Sequence, residues 1–418
     1  MKRYDEYKDT GIGWLPKLPS HWKKRKLKYC FSERSEKNHP EEQMLCATQS
    51  HGVIPQSMYQ NRVVVVNKGF EGLKLVKVGD FVISLRSFEG GIEYAYYQGI
   101  ISAAYTILAP IEKQFTDYFK VLFKSLPFIQ LLQTCVTGIR EGQNINYPLL
   151  GRKFIPIPPL AEQEKIVSYL ESKTLCIDAY VRERERELQL LNELKESEIA
   201  NVITRGLNPD VKMKDSGIPW IGLIPEHWEV LRMKAILSES KEKTNTDGGT
   251  LLSLSQYTGV TLKENAKKVG MFEAETTVGY NIVHPGQFVM NIMLAWNGSY
   301  AVSDYEGVIS PAYCVFNFNV DCEKKYFHYL LRLPAYAGAF KTQSKGIIES
   351  RLRLYPQYFL AFKTIVPPIE EQRAIVAYIE DKCNKVNSLI GELEAEIEYL
   401  KEYKQKLIAD CVTGQINV

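Results

Sequence analysis

The densest run of chemically active side chains is Lys23-Lys24-Arg25-Lys26, extended by Lys28, five cations in six residues directly after His21-Trp22. Such a run can grip adjacent phosphates of a polyanion, and it can equally be the solvated end of a strand or loop. Lys341 is a further candidate for phosphate contact. Side chains able to read bases form a second group. Gln49 in Cys46-Ala47-Thr48-Gln49 and Gln256 in Ser253-Leu254-Ser255-Gln256 occupy equivalent places. An amide can read adenine bidentately in the major groove, or simply fix a loop. Two further pairs of loops correspond in place but differ in content. Residues 84–91 carry Arg86, where 291–299 carry Asn297; residues 137–146 carry Arg140, Gln143 and Asn144, where 345–353 carry Lys345, Arg351 and Arg353. Divergent polar loops on a common scaffold suit two heads that read different sequences, although ordinary surface drift also produces them.

Other chemistries are poorly served. Gly11-Ile12-Gly13 runs into Trp14-Leu15-Pro16 rather than a dinucleotide fingerprint, and no Gly-Lys-Ser/Thr phosphate loop occurs. No Asp/Asn-Pro-Pro-Tyr/Phe motif of an amino-methyltransferase is present, and Glu171-Ser172-Lys173 imitates half of a nuclease signature only inside an expected helix. His21 and His227 have no carboxylate or cysteine at ligand spacing, so no metal is expected there, and Trp22 and Trp228 read as core anchors. The 8 cysteines never form a two-residue-spaced pair, which argues against a zinc knuckle or redox dithiol. No catalytic, cofactor-binding or metal-binding residue is assigned.

The elements that must position these residues are written twice. Lys8-Asp9-Thr10-Gly11-Ile12 and Pro19-Ser20-His21-Trp22 return as Lys214-Asp215-Ser216-Gly217-Ile218 and Pro225-Glu226-His227-Trp228. Gly99-Ile100-Ile101-Ser102 returns as Gly307-Val308-Ile309-Ser310, and Pro158-Pro159-Leu160-Ala161-Glu162-Gln163 as Pro367-Pro368-Ile369-Glu370-Glu371-Gln372. A duplication that holds register along the chain predicts two equivalent halves, which suit a nearly two-fold ligand such as duplex DNA.

Within each half, a mixed α/β part precedes a helical segment. Residues 63–66, 79–83 and 286–290 read as strands, with turns at Gly90-Gly91 and Asn297-Gly298; 118–126 and 326–333 read as helices. The prolines after Ile155 and Val366 end each part, because no helix crosses them. Beyond lie two seams, Ile177, Val181, Arg184, Leu188, Leu191, Lys195, Glu198, Val202 and Val386, Ile390, Leu393, Ile397, Leu400, Lys404, Leu407, Cys411. Both alternate steps of four and three, the coiled-coil spacing, and can pair antiparallel as a spacer. About 30 residues of such helix reach roughly 45 Å, on the order of 13 base pairs.

Charge follows the same division. The formal net charge is only +3, yet residues 1–157 hold 22 basic and 14 acidic side chains and 207–366 hold 17 and 15. The helical segments are negative, with 7 and 10 in 158–206 and 6 and 10 in 367–418. Positive heads on a negative spacer suit heads that touch phosphate while the spacer keeps off it. No apolar run approaches the roughly 20 residues that span a bilayer, and the basic N-terminus lacks an apolar signal core, so a cytoplasmic location is expected.

This order, with Pro-Pro-x-x-Glu-Gln opening both helical segments, resembles the specificity subunit of type I restriction-modification systems over essentially the whole chain. The resemblance implies an α/β (α+β) fold in two copies: target recognition domains at 1–157 and 207–366, helical spacers at 158–206 and 367–418. The spacers would form a long antiparallel coiled coil with pseudo-two-fold symmetry. It implies a non-catalytic subunit that reads a bipartite, asymmetric double-stranded DNA site. Two methyltransferase subunits and restriction/translocase subunits would dock on it, with Glu162, Gln163, Glu371 and Gln372 at the docking positions. S-adenosylmethionine, ATP and Mg would belong to those partners and none to this chain. The competing readings are a coiled-coil scaffold that binds only protein, and an unrecognised nuclease or methyltransferase.

Overall fold

The computed structural model describes residues 2–59, 69–112, 116–138, 144–255, 259–263, 276–346 and 352–418. The strand expected at 63–66 lies outside them. Two compact units divide the chain: the first comprises Met1–Arg186 with Leu393–Val418, the second Glu187–Glu392.

Each unit is built on a four-stranded antiparallel sheet. In the first, β1 (Phe31–Arg34), β2 (Phe81–Ile83), β3 (Glu93–Tyr94) and β4 (Thr106–Pro110) lie in the order β1-β4-β2-β3. In the second, β5 (Leu237–Ser240), β6 (Phe288–Asn291), β7 (Tyr300–Val302) and β8 (Tyr313–Phe318) repeat that order as β5-β8-β6-β7. The central strands are buried on both faces, so they read as continuous apolar runs rather than alternating ones. Phe81 faces a large core with Phe31, Phe119, Phe123 and Phe128, while Val82 faces a smaller one with Val53, Ile101 and Ile107. Phe288 and Val289 divide in the same way in the second unit.

Two long helices follow the proline boundaries, α1 (Leu160–Arg205, 46 residues) and α2 (Ile369–Val412, 44 residues). In each unit a stretch of α1 runs antiparallel to a stretch of α2. In the first unit, Asp178 accepts from Lys404 Nζ at 2.6 Å and Glu185 from Lys401 Nζ at 3.0 Å, so numbers rise along one helix as they fall along the other. In the second, Asn387 Oδ1 accepts from Lys195 Nζ at 3.0 Å and Glu198 from the Tyr378 hydroxyl at 2.6 Å. Every seam position is at least partly buried while most neighbouring positions are exposed, as the four-and-three spacing predicts. Charged seam positions are accommodated locally, with Arg184 lying over the Tyr180 ring at 4.9 Å.

The helix ends are exchanged between copies. Leu407, Cys411 and Val412, from the end of α2, complete the large core of the first unit; Val202 and Ile203, from the end of α1, complete that of the second. A buried tyrosine at each matching place fixes the exchange, Tyr118 donating to the Val412 carbonyl at 2.7 Å and Tyr326 to the Ile203 carbonyl at 3.0 Å. These bonds satisfy last-turn carbonyls that have no partner within the helix.

Candidate nucleic-acid interface

In the first unit, the cationic run Lys23–Lys26 is a strand that pairs antiparallel with Phe154–Ile157. Lys24 and Lys26 both stand over the Phe154 ring at 5.5 Å, as side chains two apart on one strand face should. Lys24 also donates to the Thr10 carbonyl at 2.7 Å, Arg25 pairs with Glu112 at 3.1 Å, and Lys28 lies over the Tyr29 ring at 5.0 Å. Four of the five cations therefore have contacts within the chain, and Lys23 projects into solvent.

The loop candidates of this unit converge elsewhere. Arg86, exposed, precedes the short helix Ser87–Gly90, and Gln49 packs on that helix: a Cβ at Gly90 would lie 2.6 Å from its side chain. The amide of Gln133 donates to the Phe88 carbonyl at 3.3 Å, bringing the end of the Leu126–Gln133 helix to the same loop. Asn144, exposed, pairs with Thr137 at the base of the next hairpin. Arg140 and Gln143 lie outside the described residues.

Beside these loops is a cleft of about 630 Å³, lined by the turn at Gln49–Gly52, by Glu93, Tyr94, Tyr96 and Tyr97, and by Lys120 and Lys124. Lys120 lies over the Tyr94 ring at 3.9 Å. Lys124 reaches the carboxylate of Glu93 at 2.5 Å and the Gly90 carbonyl at 3.0 Å. Burial pushes the Glu93 carboxyl up from its ordinary value, and Lys124 pulls it the other way. Sequence reasoning missed Glu93, Tyr96, Lys120 and Lys124. The available signals were the tyrosine-rich run before the repeated Gly99-Ile100-Ile101 and two lysines four apart on a helical pattern.

The second unit gathers its candidates differently. Lys341 stands over the Trp296 ring at 5.4 Å, beside Asn297. Lys345 and Arg353 exchange backbone hydrogen bonds at 2.9 Å, and the Leu354 amide donates to the Ile292 carbonyl at 2.9 Å. Asn297, Lys341, Lys345 and Arg353 are thus exposed on segments tied to one another. Gln256 and Arg351 lie outside the described residues.

The four residues expected at docking positions are engaged within the chain. Glu162 accepts from His21 Nε2 at 2.6 Å, Trp22 Nε1 at 2.8 Å and the Tyr4 hydroxyl at 2.8 Å. Glu371 repeats this with His227 at 2.8 Å and Trp228 at 3.0 Å. Burial opposes ionisation of Glu162, but the hydrogen bonds from Trp22, Tyr4 and His21 outweigh it and hold the carboxyl below its usual range. Gln163 and Gln372 are 3% and 2% exposed, and each donates its amide to the first proline carbonyl of its own motif at 2.8 Å. The two most recognisable repeated motifs, Pro-x-His-Trp and Pro-Pro-x-x-Glu-Gln, are therefore the two sides of one lock, closed once in each unit. Both tryptophans are fully buried, as core anchors should be.

The frame is duplicated down to its hydrogen bonds, so the fold is that of two equivalent copies joined in one chain. The chain is 24% identical to the type I restriction enzyme MjaVIII specificity subunit of Methanocaldococcus jannaschii over 369 residues, 82% of this chain and 80% of that one. It is 25% identical to the putative MjaX specificity subunit of the same organism over 296 residues, 66% of this chain and 62% of the relative. In fold it matches a chain from a type I R-M system (TM-score 0.68, 15% identity, 96% of this chain and 99% of the other). It also matches the HsdS subunit from Thermoanaerobacter tengcongensis (TM-score 0.54, 14% identity, 97% and 100%). No protein-family model matches the chain. Both relatives are specificity subunits of type I restriction enzymes, and the chain is similar to them in sequence. Among the described residues, no helix is long and apolar enough to cross a membrane.

Proposed function

We propose that the chain is the non-catalytic subunit that gives a cytoplasmic type I restriction-modification complex its DNA sequence specificity. Each unit reads one half of a bipartite, asymmetric site, and methyltransferase and restriction subunits assembled on the chain supply S-adenosylmethionine, ATP and Mg-dependent chemistry. The observation that carries this reading is the contrast inside the duplication. The lock, the sheet order and the helix exchange are kept in both copies, while the sequences at 84–91 and 137–146 differ from those at 291–299 and 345–353. Sequence-reading residues belong on such loops, held by a rigid frame.

Selection of bound duplexes from a random-sequence pool by the chain with its methyltransferase subunit should recover two short motifs separated by a fixed gap. A single contiguous motif would count against the reading. Affinity should fall steeply with salt, because each phosphate contact releases counterions. A scaffold that binds only protein would show no DNA affinity to lose.

A further inference from the structure

The cleft of the first unit has features that phosphate contact does not require. Glu93 is 2% exposed; its Oε1 takes Lys124, while its Oε2 has no hydrogen-bond partner among the described residues. A buried carboxylate oxygen left unmatched is costly, and natural structures keep few of them without a reason. Next to it is an aromatic wall. Tyr96 is 51% exposed and meets Tyr94 edge-on, with ring centroids 4.8 Å apart. That wall depends on Gly52, whose φ of +72° is left-handed and whose Cβ, if present, would lie 2.9 Å from the Tyr96 ring and 2.7 Å from the Tyr94 carbonyl oxygen. Gln49 adds an amide to the lining.

Among the described residues, the second unit has neither the carboxylate nor the tyrosines at the equivalent places. Alignment through Gly99 and Gly307 sets Ala301, Val302 and Asp304 opposite Glu93, Tyr94 and Tyr96. Gly259, the counterpart of Gly52, faces the methyl of Ala301 rather than a ring. The carboxylate and the tyrosines of the cleft therefore belong to one copy, whereas a part of the common frame would be present in both.

We propose that this cleft reads one base in the half-site of the first unit, a base whose major-groove edge carries an exocyclic amino group, with Glu93 Oε2 as the acceptor and Tyr96 as the flat wall beside it. The inference rests on the DNA-reading function proposed above. A carboxylate can only accept when ionised, so it favours the amino groups of cytosine or adenine. The keto oxygens that guanine and thymine present there would face it without a proton between.

The test is duplex selection with the full chain in its methyltransferase complex, comparing wild type with Glu93→Gln, Tyr96→Ala and, in the second unit, Asp304→Ala. Wild type should select one base pair at the position concerned, and whether that pair is A·T or G·C names the base as adenine or cytosine. Glu93→Gln should reduce the preference at that single position by roughly ten-fold or more, because the amide can donate as well as accept. Tyr96→Ala, at an exposed side chain, should weaken the same half-site, and Asp304→Ala should leave it unchanged. The inference fails if Glu93→Gln and Tyr96→Ala, with wild-type melting curves, both select the wild-type motif. If wild type itself selects no bipartite motif, the DNA-reading function falls first, and the two failures are distinguishable.

Discussion

The two units share a frame and differ around the cleft of the first. His21-Trp22 on Glu162 and His227-Trp228 on Glu371 are the same contact made twice, as are Tyr118 on Val412 and Tyr326 on Ile203. Over the cleft, by contrast, a buried carboxylate and tyrosines in one copy stand against alanine, valine and aspartate in the other. Contacts that hold the helices to the heads cannot vary without loss of the fold. Surfaces that face a ligand can, and a difference between copies of one chain separates the two roles without reference to any other protein.

The comparison is tested hardest at the tryptophans. Trp22→Ala and Trp228→Ala should each destabilise their own unit by about 3–5 kcal/mol, since both side chains are fully buried. Hydrogen exchange resolved by unit should show similar losses, and a large loss in one copy with none in the other would break the equivalence. Glu162→Gln should cost about 1–3 kcal/mol by denaturant unfolding, and more than Glu371→Gln, because Glu162 serves the Tyr4 hydroxyl as well as a histidine and an indole. The Glu162 carboxyl is held below its ordinary value in the folded chain. Its contribution is therefore complete above the unfolded pKa, roughly 4.3, and is lost as pH falls through the depressed folded value. Stability curves of wild type and Glu162→Gln should accordingly converge in acid.

Smaller differences sharpen the comparison on the helices. Lys404 meets Asp178 in the first unit where the equivalent Lys195 meets Asn387 in the second. Asp178→Asn should cost less than about 1 kcal/mol, since the pair is partly exposed, and should remove most of the salt dependence of this contact. The smallest effect concerns matched surface pairs. Glu36 meets Lys77 at 3.1 Å in the first unit, and its counterpart Glu242 meets His284 at 2.9 Å in the second. The hydrogen bond to Glu242 raises the His284 pKa. This pair therefore stabilises below the unfolded histidine value, roughly 6.5, and loses its contribution as pH rises through the raised folded value, while the lysine pair persists. An NMR titration placing His284 at or below the ordinary histidine range would contradict the assignment.

Much of the frame was legible in the sequence because its signals are periodic or repeated. The seams from Ile177 and Val386 carry a three-and-four spacing that only paired helices explain, and the matching lysines are where the register puts them. The lock was visible as two conserved-looking fragments within one chain but not as a contact. His21 and Glu162 are 141 residues apart, and nothing local joins them. Glu162 and Glu371 therefore stand in the sequence only as docking positions that the resemblance implies, and the part each plays as acceptor for an indole from the start of its own copy is not visible there. The sheet order β1-β4-β2-β3 could not be read either, because strands of two to five residues carry no signal of which neighbour they choose. The cleft escaped for the opposite reason. Attention to positions that recur draws the eye to Gln49 and Gln256, whereas Glu93 and Tyr96 have no counterpart to flag them.

The exchanged helix ends decide what a single copy could do by itself. A fragment stopping after α1 would have its large core uncovered where Leu407, Cys411 and Val412 otherwise seal it, and would carry Val202 and Ile203 as an apolar tip with nowhere to bury. Two such fragments can supply each other with the missing plug. Half a gene product is thus an incomplete fold that is complementary to itself, and its cheapest route to a closed interior is a second molecule of the same kind.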